Sequence, residues 1–344
     1  MSRILIISPM LPGIGGVSVS SNRLLLNLKK DGYDVDTFNI RFKNGKHNKP
    51  PYLALRYFTI PFYILFHRRY DIIHCHVPGV LRKLYISLCK PVYKGAKLVF
   101  TIHGDAHPLV DNKFVKYALK KADRIICVQV GDSAKMPGGL TEKSVDIPAF
   151  ILPRVIDTTF TPKSILDFCE NKDGSKLLIF NGAAVVNDEW DDLYGFRDMV
   201  AAFKALETRG DYRLLMILNG VPKNRQGEEL IKEITGQIAN DRSVKFVENE
   251  PFELCPLFRF ADVYVRPTKT DGDSLSIREA LAMNCKVVTT NIVNRPQGVF
   301  VYESPSQLAG VIENAMESEP PASVEQIDYY QYIKELYTKL LSNA

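Results

Sequence analysis

Residues 3–40 constrain the fold more than any other part of the chain. Arg3 to Ser8 is apolar on both faces. A strand has that pattern when both sides of its sheet are covered, as in a parallel sheet. A loop then runs from Pro9 to Gly16, with glycines at 13, 15 and 16. Val17 to Lys30 places Leu24, Leu25 and Leu28 on one face of a helix that stops at Asp31-Gly32, and Tyr33 to Ile40 reads as the next strand. Strand, glycine loop, helix, strand opens a doubly wound α/β sheet, whose ligands bind beyond the carboxyl ends of the strands. The glycines let a backbone approach phosphates. However, Gly13-Ile14-Gly15-Gly16 lacks the spacing of a dinucleotide fingerprint, and a tight turn accounts for it equally well.

The same order repeats further on. Strands are expected at 70–76, 97–102 and 123–128, then at 176–180, 214–218, 244–247, 263–266 and 287–290. Amphipathic helices are expected at 194–207, 228–238 and 254–261, and from Leu275 to Ala282. Val145 to Ile156, rich in proline and β-branched residues, reads as a last strand and the start of a linker, and a charged stretch from Asp167 to Lys176 precedes the second set. A chain of 344 residues suits two such domains. The expected division is 1–155 and 170–325. The terminal piece, 326–344, belongs to a helical run from Val324 to Leu341 that carries Tyr332, Ile333, Leu336, Tyr337 and Leu340 on one side and crosses back to the first domain. Two tandem sheets of this kind leave a cleft between them.

The charge is uneven. Residues 1–150 hold 23 Lys/Arg and 10 Asp/Glu, and the remainder holds 21 and 29, so the net +5 combines +13 with −8. A basic half implies an anionic partner such as a membrane surface or a phosphorylated ligand. The basic residues are scattered and form no nucleic-acid module, so no nucleic-acid partner is expected. Tyr52 to Arg69 mixes aromatic, aliphatic and basic residues around Pro61. It reads either as an interfacial helix on anionic lipid or as a helix packed on the sheet. Residues 41–50 read as an exposed loop.

The six cysteines are scattered without a C-x-x-C pair, which points to a reducing, cytoplasmic compartment. No secretory signal is read, because Ile4 to Ile7 soon meets Pro9, Pro12 and the glycines. The apolar stretch Tyr57 to Phe66 is too short to span a bilayer. His74, His76 and His103 fall at carboxyl ends of expected strands. A metal at His103-x3-His107 is disfavoured by Gly104 and Pro108, and no metal is expected.

The stretch Arg266 to Asn291 is a polar turn (Thr270 to Ser274), a helix and a β-branched strand, with Asp271 and Glu279 bracketing the turn and the first helical turns. The helix start offers unpaired N–H groups and a positive dipole end to an anion. Asp271-x-Asp273 has metal-binding spacing, but the paired acids explain Asp271 better.

Taken in order, the motifs resemble the GT-B glycosyltransferases, specifically family 4 of retaining enzymes that use nucleotide-sugar donors. They are Gly15-Gly16, Asp71 to His76 (DIIHCH), Thr101 to Gly104 (TIHG), Ala122 to Ile126 (ADRII), Ala261 to Pro267 (ADVYVRP) and the paired acids Asp271-x7-Glu279 with Ala280 to Met283 after them. The resemblance implies two Rossmann-like domains facing a cleft, with the acceptor on the first and the donor on the second. The donor is a nucleotide-diphosphate sugar, the acceptor a saccharide or lipid-linked glycan of surface polysaccharide biosynthesis, and no cofactor is needed. It assigns Glu279 to the donor ribose and Asp271 to the sugar hydroxyls, with His103 beside the reacting carbon. The backbone of Gly272, Asp273 and Ser274 meets the sugar or diphosphate, and Gly15 and Gly16 lie on the phosphate side.

The chain departs from the family at two places. Asn181 to Ala184 contains no base, and Tyr194 stands where a Lys precedes a glycine, so the family's diphosphate-binding bases are missing. Arg266, Lys269, Arg278 and Arg295 are the replacements at hand, with Arg266 first because it ends a strand that points at the cleft; Arg278 either faces the cleft beside Glu279 or is a solvated helix charge. A GT-B nucleotide-sugar epimerase or hydrolase and a non-catalytic sugar-binding homologue are the alternatives.

Overall fold

The computed structural model describes all residues except 1, 11–14, 41–56, 67–68, 104–110, 154–157, 159–160, 223, 249, 251, 272–273, 294, 320–326 and 343–344. The expectations for 41–50, for Tyr52 to Arg56 and for His107 lie outside the described residues. Two compact units emerge, one formed by Met1–Arg154 with Ile327–Ala344 and the other by Val155–Gln326.

The first unit is a six-stranded, all-parallel sheet. Its elements are β1 (Arg3–Ser8), α1 (Gly16–Lys30), β2 (Asp34–Asn39), α2 (Ile60–Phe66), β3 (Ile72–Cys75), α3 (Val80–Leu88), β4 (Lys97–Ile102), α4 (Lys113–Lys120), β5 (Arg124–Cys127) and β6 (Ser144–Asp146). The strand order is β2-β1-β3-β4-β5-β6. β1 pairs with β2 on one side and β3 on the other, so the winding reverses there. Alternation along β1 feeds two cores. Leu5 and Ile7 face Ile73, Phe100 and Ile86, while Ile4 and Ile6 face Leu24, Leu28, Ile72 and Val99. That explains why β1 has no polar face.

The C-terminal helix, Tyr330–Ser342, belongs to this unit. It buries Tyr330, Ile333, Tyr337 and Leu340 in the α1-side core. Tyr332, read as part of the same face, is exposed. Two polar ties fix the helix. The Tyr337 hydroxyl meets His74 Nδ1 at 2.6 Å, and Lys334 and the Tyr330 hydroxyl both reach Asp31.

The second unit contains α5 (Lys163–Glu170), β7 (Lys176–Gly182), α6 (Phe196–Glu207), β8 (Tyr212–Leu218), α7 (Arg225–Ile238), β9 (Val244–Glu248), β10 (Val263–Arg266), α8 (Leu275–Ala282), β11 (Lys286–Thr290), β12 (Val299–Tyr302) and α9 (Leu308–Glu317). Its sheet is also parallel, in the order β12-β11-β10-β7-β8-β9. β7 and β10 are adjacent and the chain winds away from them in both directions, so their carboxyl ends form the switch point where open α/β sheets bind ligands.

Some expectations need correction. Of the described residues 145–153, only Val145 and Asp146 lie in a strand, because Pro148 and Pro153 supply no N–H to a ladder. Residues 254–261 form a single 3₁₀ turn at Cys255–Leu257 rather than a helix. The charged stretch Asp167 to Lys176, expected to precede the second domain, lies within the second unit and overlaps α5, whose Ile165 and Cys169 are buried. α6 begins at Phe196, after Gly195.

Candidate active site

The second unit's switch point is built from four strand and loop ends. β7 ends at Asn181-Gly182 and β10 at Arg266, separated in sequence by more than 80 residues but adjacent in the sheet. Tyr264, buried on β10, donates its hydroxyl to Asn181 Oδ1 at 2.6 Å and meets the Ser276 hydroxyl at 2.7 Å. That bond ties the end of β7 to the start of α8. Burial, opposed by Arg266, holds the Tyr264 hydroxyl above its usual pKa.

Arg266 turns inward. Its Nη1 donates to the Asn181 carbonyl at 3.4 Å, and its guanidinium carbon lies 5.1 Å from the centre of the Tyr194 ring. Its Nε and Nη2 reach the two oxygens of Asp271 at 3.4 and 3.3 Å. Burial works to lower the Arg266 pKa, but Tyr264 and Asp271 outweigh it and the guanidinium is held above its ordinary value.

Asp271 has a second arginine. Arg295 Nη1 donates to Asp271 Oδ2 at 2.9 Å, and Arg295 is anchored by its Nε on the Thr290 carbonyl at 3.0 Å. The side chains are deeply placed, at 11% exposed for Arg266, 10% for Asp271 and 4% for Arg295. The acid read as a sugar contact is therefore bracketed by two guanidinium groups.

Glu279 is 5% exposed, on a helix whose Ile277, Ala280 and Leu281 pack into the core below. Arg278 is half-buried beside it. Ser274 precedes the helix, and its hydroxyl meets Ser276 at 3.1 Å rather than capping the first turn. Gly272 and Asp273 lie outside the described residues. The structure thus brings Arg266, Asp271, Ser274 and Glu279 to one strand edge and helix start.

The start of α6 behaves differently. Asp192, a residue that sequence reasoning passed over, accepts hydrogen bonds from the backbone N–H of Gly195 at 3.0 Å and of Arg197 at 2.8 Å. It occupies the position that an anion would take at that helix start. Two aspartates just before a helix were the available signal. Gly195 has φ 74°, and a Cβ there would fall 2.4 Å from the Pro267 carbonyl oxygen, so the residue is held to glycine by the strand-end loop after β10. The other bases nearby are committed outward. Lys269 pairs with Asp191, and Arg197 with Glu233.

In the first unit, His76 Nδ1 lies 2.9 Å from His103 Nε2, and the His74 and His76 rings are 4.2 Å apart. The three histidines converge, as their strand ends require. His74 is wholly buried, with Nε2 on the Thr101 hydroxyl and Nδ1 on Tyr337. Burial pushes its pKa down to about 3. Burial, with Lys83 nearby, pushes His103 down to about 4, and His76 is also well below its ordinary value through burial and its two neighbours. All three are neutral near pH 7. Lys83, whose Nζ donates to the Val77 carbonyl at 2.8 Å, is itself lowered to about 8 by burial. Gly15 has an extended backbone (φ 178°) with open space where a Cβ would stand, and Gly16 begins α1. Among the described residues, no group of three or more His, Cys, Asp or Glu is arranged to hold a metal ion.

The family model described as Glycosyltransferase Family 4 matches residues 14–130, and the one described as Glycosyl transferases group 1 matches residues 177–318. A search of curated protein sequences finds no significant match. Several solved structures share the fold. Sucrose-phosphate synthase from Thermosynechococcus elongatus is 16% identical with a TM-score of 0.67, each chain covering all of the other. HepE from Anabaena, in complex with UDP-glucose, is 14% identical with a TM-score of 0.65, again with full coverage of both chains. The catalytic domain of Starch Synthase IV from Arabidopsis thaliana, bound to ADP and acarbose, is 13% identical with a TM-score of 0.66 and 99% of each chain covered. The chain belongs to the GT-B glycosyltransferases of group 1, family 4, and is a glycosyltransferase.

Proposed function

We propose that the chain is a retaining hexosyltransferase, moving a sugar from a nucleotide-diphosphate donor to a saccharide or lipid-linked acceptor at the cytoplasmic membrane face, in surface polysaccharide or glycan synthesis. The observation that carries the donor reading is the inward-turned Arg266 beside Asp271 at the β7/β10 switch point, with buried Glu279 on the helix that follows. Nucleotides in solved relatives of the same fold, UDP-glucose in one and ADP in another, support a nucleoside diphosphate here.

In this reading Glu279 accepts hydrogen bonds from the ribose hydroxyls and Asp271 faces the sugar. The bond between the anomeric carbon and the diphosphate oxygen breaks, and the electron pair leaves with the nucleoside diphosphate. The acceptor hydroxyl attacks from the same face and passes its proton to the departing phosphate oxygen. Positive charge set against the departing diphosphate supplies most of the rate enhancement. One such donor is typically worth about 3 kcal/mol of barrier. Gly15, Gly16, Ser274 and Arg278 are donor contacts and His103 a catalytic residue in the same proposal. A neutral His103 acts by hydrogen bonding rather than by charge.

Membrane contact has its own support. Phe58, Phe62, Leu65 and Phe66 are exposed around α2, as are Leu81 and Leu88 on α3 and Phe114 and Tyr117 on α4. Lys113, Lys120 and Lys121 are exposed among them. Exposed aromatic and basic side chains suit an anionic lipid surface. No helix among the described residues is long and apolar enough to cross a membrane.

Product analysis by NMR tests the reaction class. Transfer to an acceptor with the donor's anomeric configuration kept is expected. Equal turnover of donor without acceptor favours a hydrolase or epimerase instead.

A further inference from the structure

Residues 181–184 offer no base, and Tyr194 stands where one is expected, yet a diphosphate brings two or more negative charges to the switch point. Arg266 spans the gap. One end of its guanidinium is 3.4 Å from the Asn181 carbonyl and the group lies over the Tyr194 ring, so it sits between the two positions that lack a base. Arg295 approaches the same carboxylate from the loop after β11. Arg266, Asp271 and Arg295 together carry one more positive than negative charge, at no more than 11% exposure. Their neighbours Lys269 and Arg197 are held by Asp191 and Glu233.

We propose that Arg266 and Arg295 form the cationic clamp for the donor diphosphate, and that Asp271 keeps both arginines in place between turnovers and yields them to phosphate oxygens when the donor binds. This rests on the donor reading above and names the residues that carry its charge.

Geometry favours exchange. The Arg266–Asp271 contacts of 3.3 and 3.4 Å exceed the 2.7–2.9 Å typical of a tight charged pair. The Arg266 contact is thus the looser half. Arg295 is tighter at 2.9 Å and is also fastened to Thr290, so it acts as the fixed jaw. A guanidinium fork matches phosphate oxygens two at a time, which a lysine does not. The carboxylate between the arginines also spaces two like charges that would otherwise repel in a buried site.

Calorimetric titration of the full chain with UDP, ADP and GDP, and with the corresponding monophosphates, tests the clamp. The wild type is expected to bind at least one diphosphate more tightly than its monophosphate. Arg295→Gln should cut that ratio about tenfold or more while leaving monophosphate affinity nearly unchanged, with Arg295→Lys restoring part of it. Asp271→Asn, which frees both arginines, should hold or raise free diphosphate affinity, and provides the reading if Arg295→Gln does not fold. An unchanged diphosphate-to-monophosphate ratio in Arg295→Gln, or a loss of diphosphate affinity in Asp271→Asn, overturns the clamp and leaves the donor site standing. Wild-type failure to bind any of the three diphosphates overturns both.

Discussion

Asp271 shows how a residue's sequence context and its three-dimensional context differ. The helix that carries Glu279 was legible, because its apolar spacing at Ile277 and Leu281 fixes the face that packs on the core. The arginines facing Asp271 were only half legible. Arg266 ends a strand and could be ranked from that alone. Arg295 lies 24 residues beyond Asp271, and only the parallel pairing of β10 with β11 brings its loop back to the same carboxylate. Tyr264 was unread because a lone tyrosine in Val-Tyr-Val looks like core until its hydroxyl is seen on Asn181 and Ser276. At this scale, Arg266→Ala is expected to lower kcat about 10²–10³-fold, the cost of removing one preorganised donor to developing negative charge. Steady-state kinetics with saturating donor would check it. A change confined to KM would mean that Arg266 only binds.

At the scale of elements, strands were the most readable because parallel strands covered on both faces are near-continuous apolar runs. Helices α3, α4, α5 and α9 and strand β12 escaped notice. α5 and β12 are short, and their polar or exposed positions hide the buried face, as Val301 does on β12. The start of α6 depends on two features that no periodicity reveals: the Asp192 carboxylate on its first amides and the left-handed Gly195 against Pro267. Gly195→Ala should destabilise the second unit by about 2 kcal/mol or more, since the left-handed region alone costs a non-glycine residue about 1–2 kcal/mol and the added Cβ meets backbone. Urea unfolding would measure it. In the first unit, the C-terminal helix is tied to the sheet by His74. Tyr337→Phe leaves His74 Nδ1 without its buried partner and should cost about 1–3 kcal/mol in the same assay.

Across the whole molecule, the two-unit GT-B architecture was readable from the repeated strand–helix grammar, because each buried parallel strand forces helices onto both faces of its sheet. The asymmetry of charge was equally plain, and its consequence is testable. Flotation with vesicles of anionic lipid should carry the chain at low salt and release it as salt rises. No flotation on anionic vesicles would remove the membrane part of the proposal. Stability should also depend on pH with a definite sign. His74 and His103 have folded pKa values pushed below the ordinary 6.5, to about 3 and about 4. Their neutral forms are favoured by folding, so the contribution is fully present above pH 6.5 and is lost as pH falls through that window toward 3. Chemical unfolding from pH 7 to pH 4 should show a steady loss that His74→Gln reduces.

The central claim is that a nucleotide sugar is held at the β7/β10 switch point, with Glu279 on its ribose. Titrating the wild type and Glu279→Ala with UDP-, ADP- and GDP-sugars tests it directly. At least one donor should bind the wild type, and Glu279→Ala should bind it at least tenfold more weakly while unfolding at a similar temperature. Donor affinity unchanged in a folded Glu279→Ala protein would contradict the account.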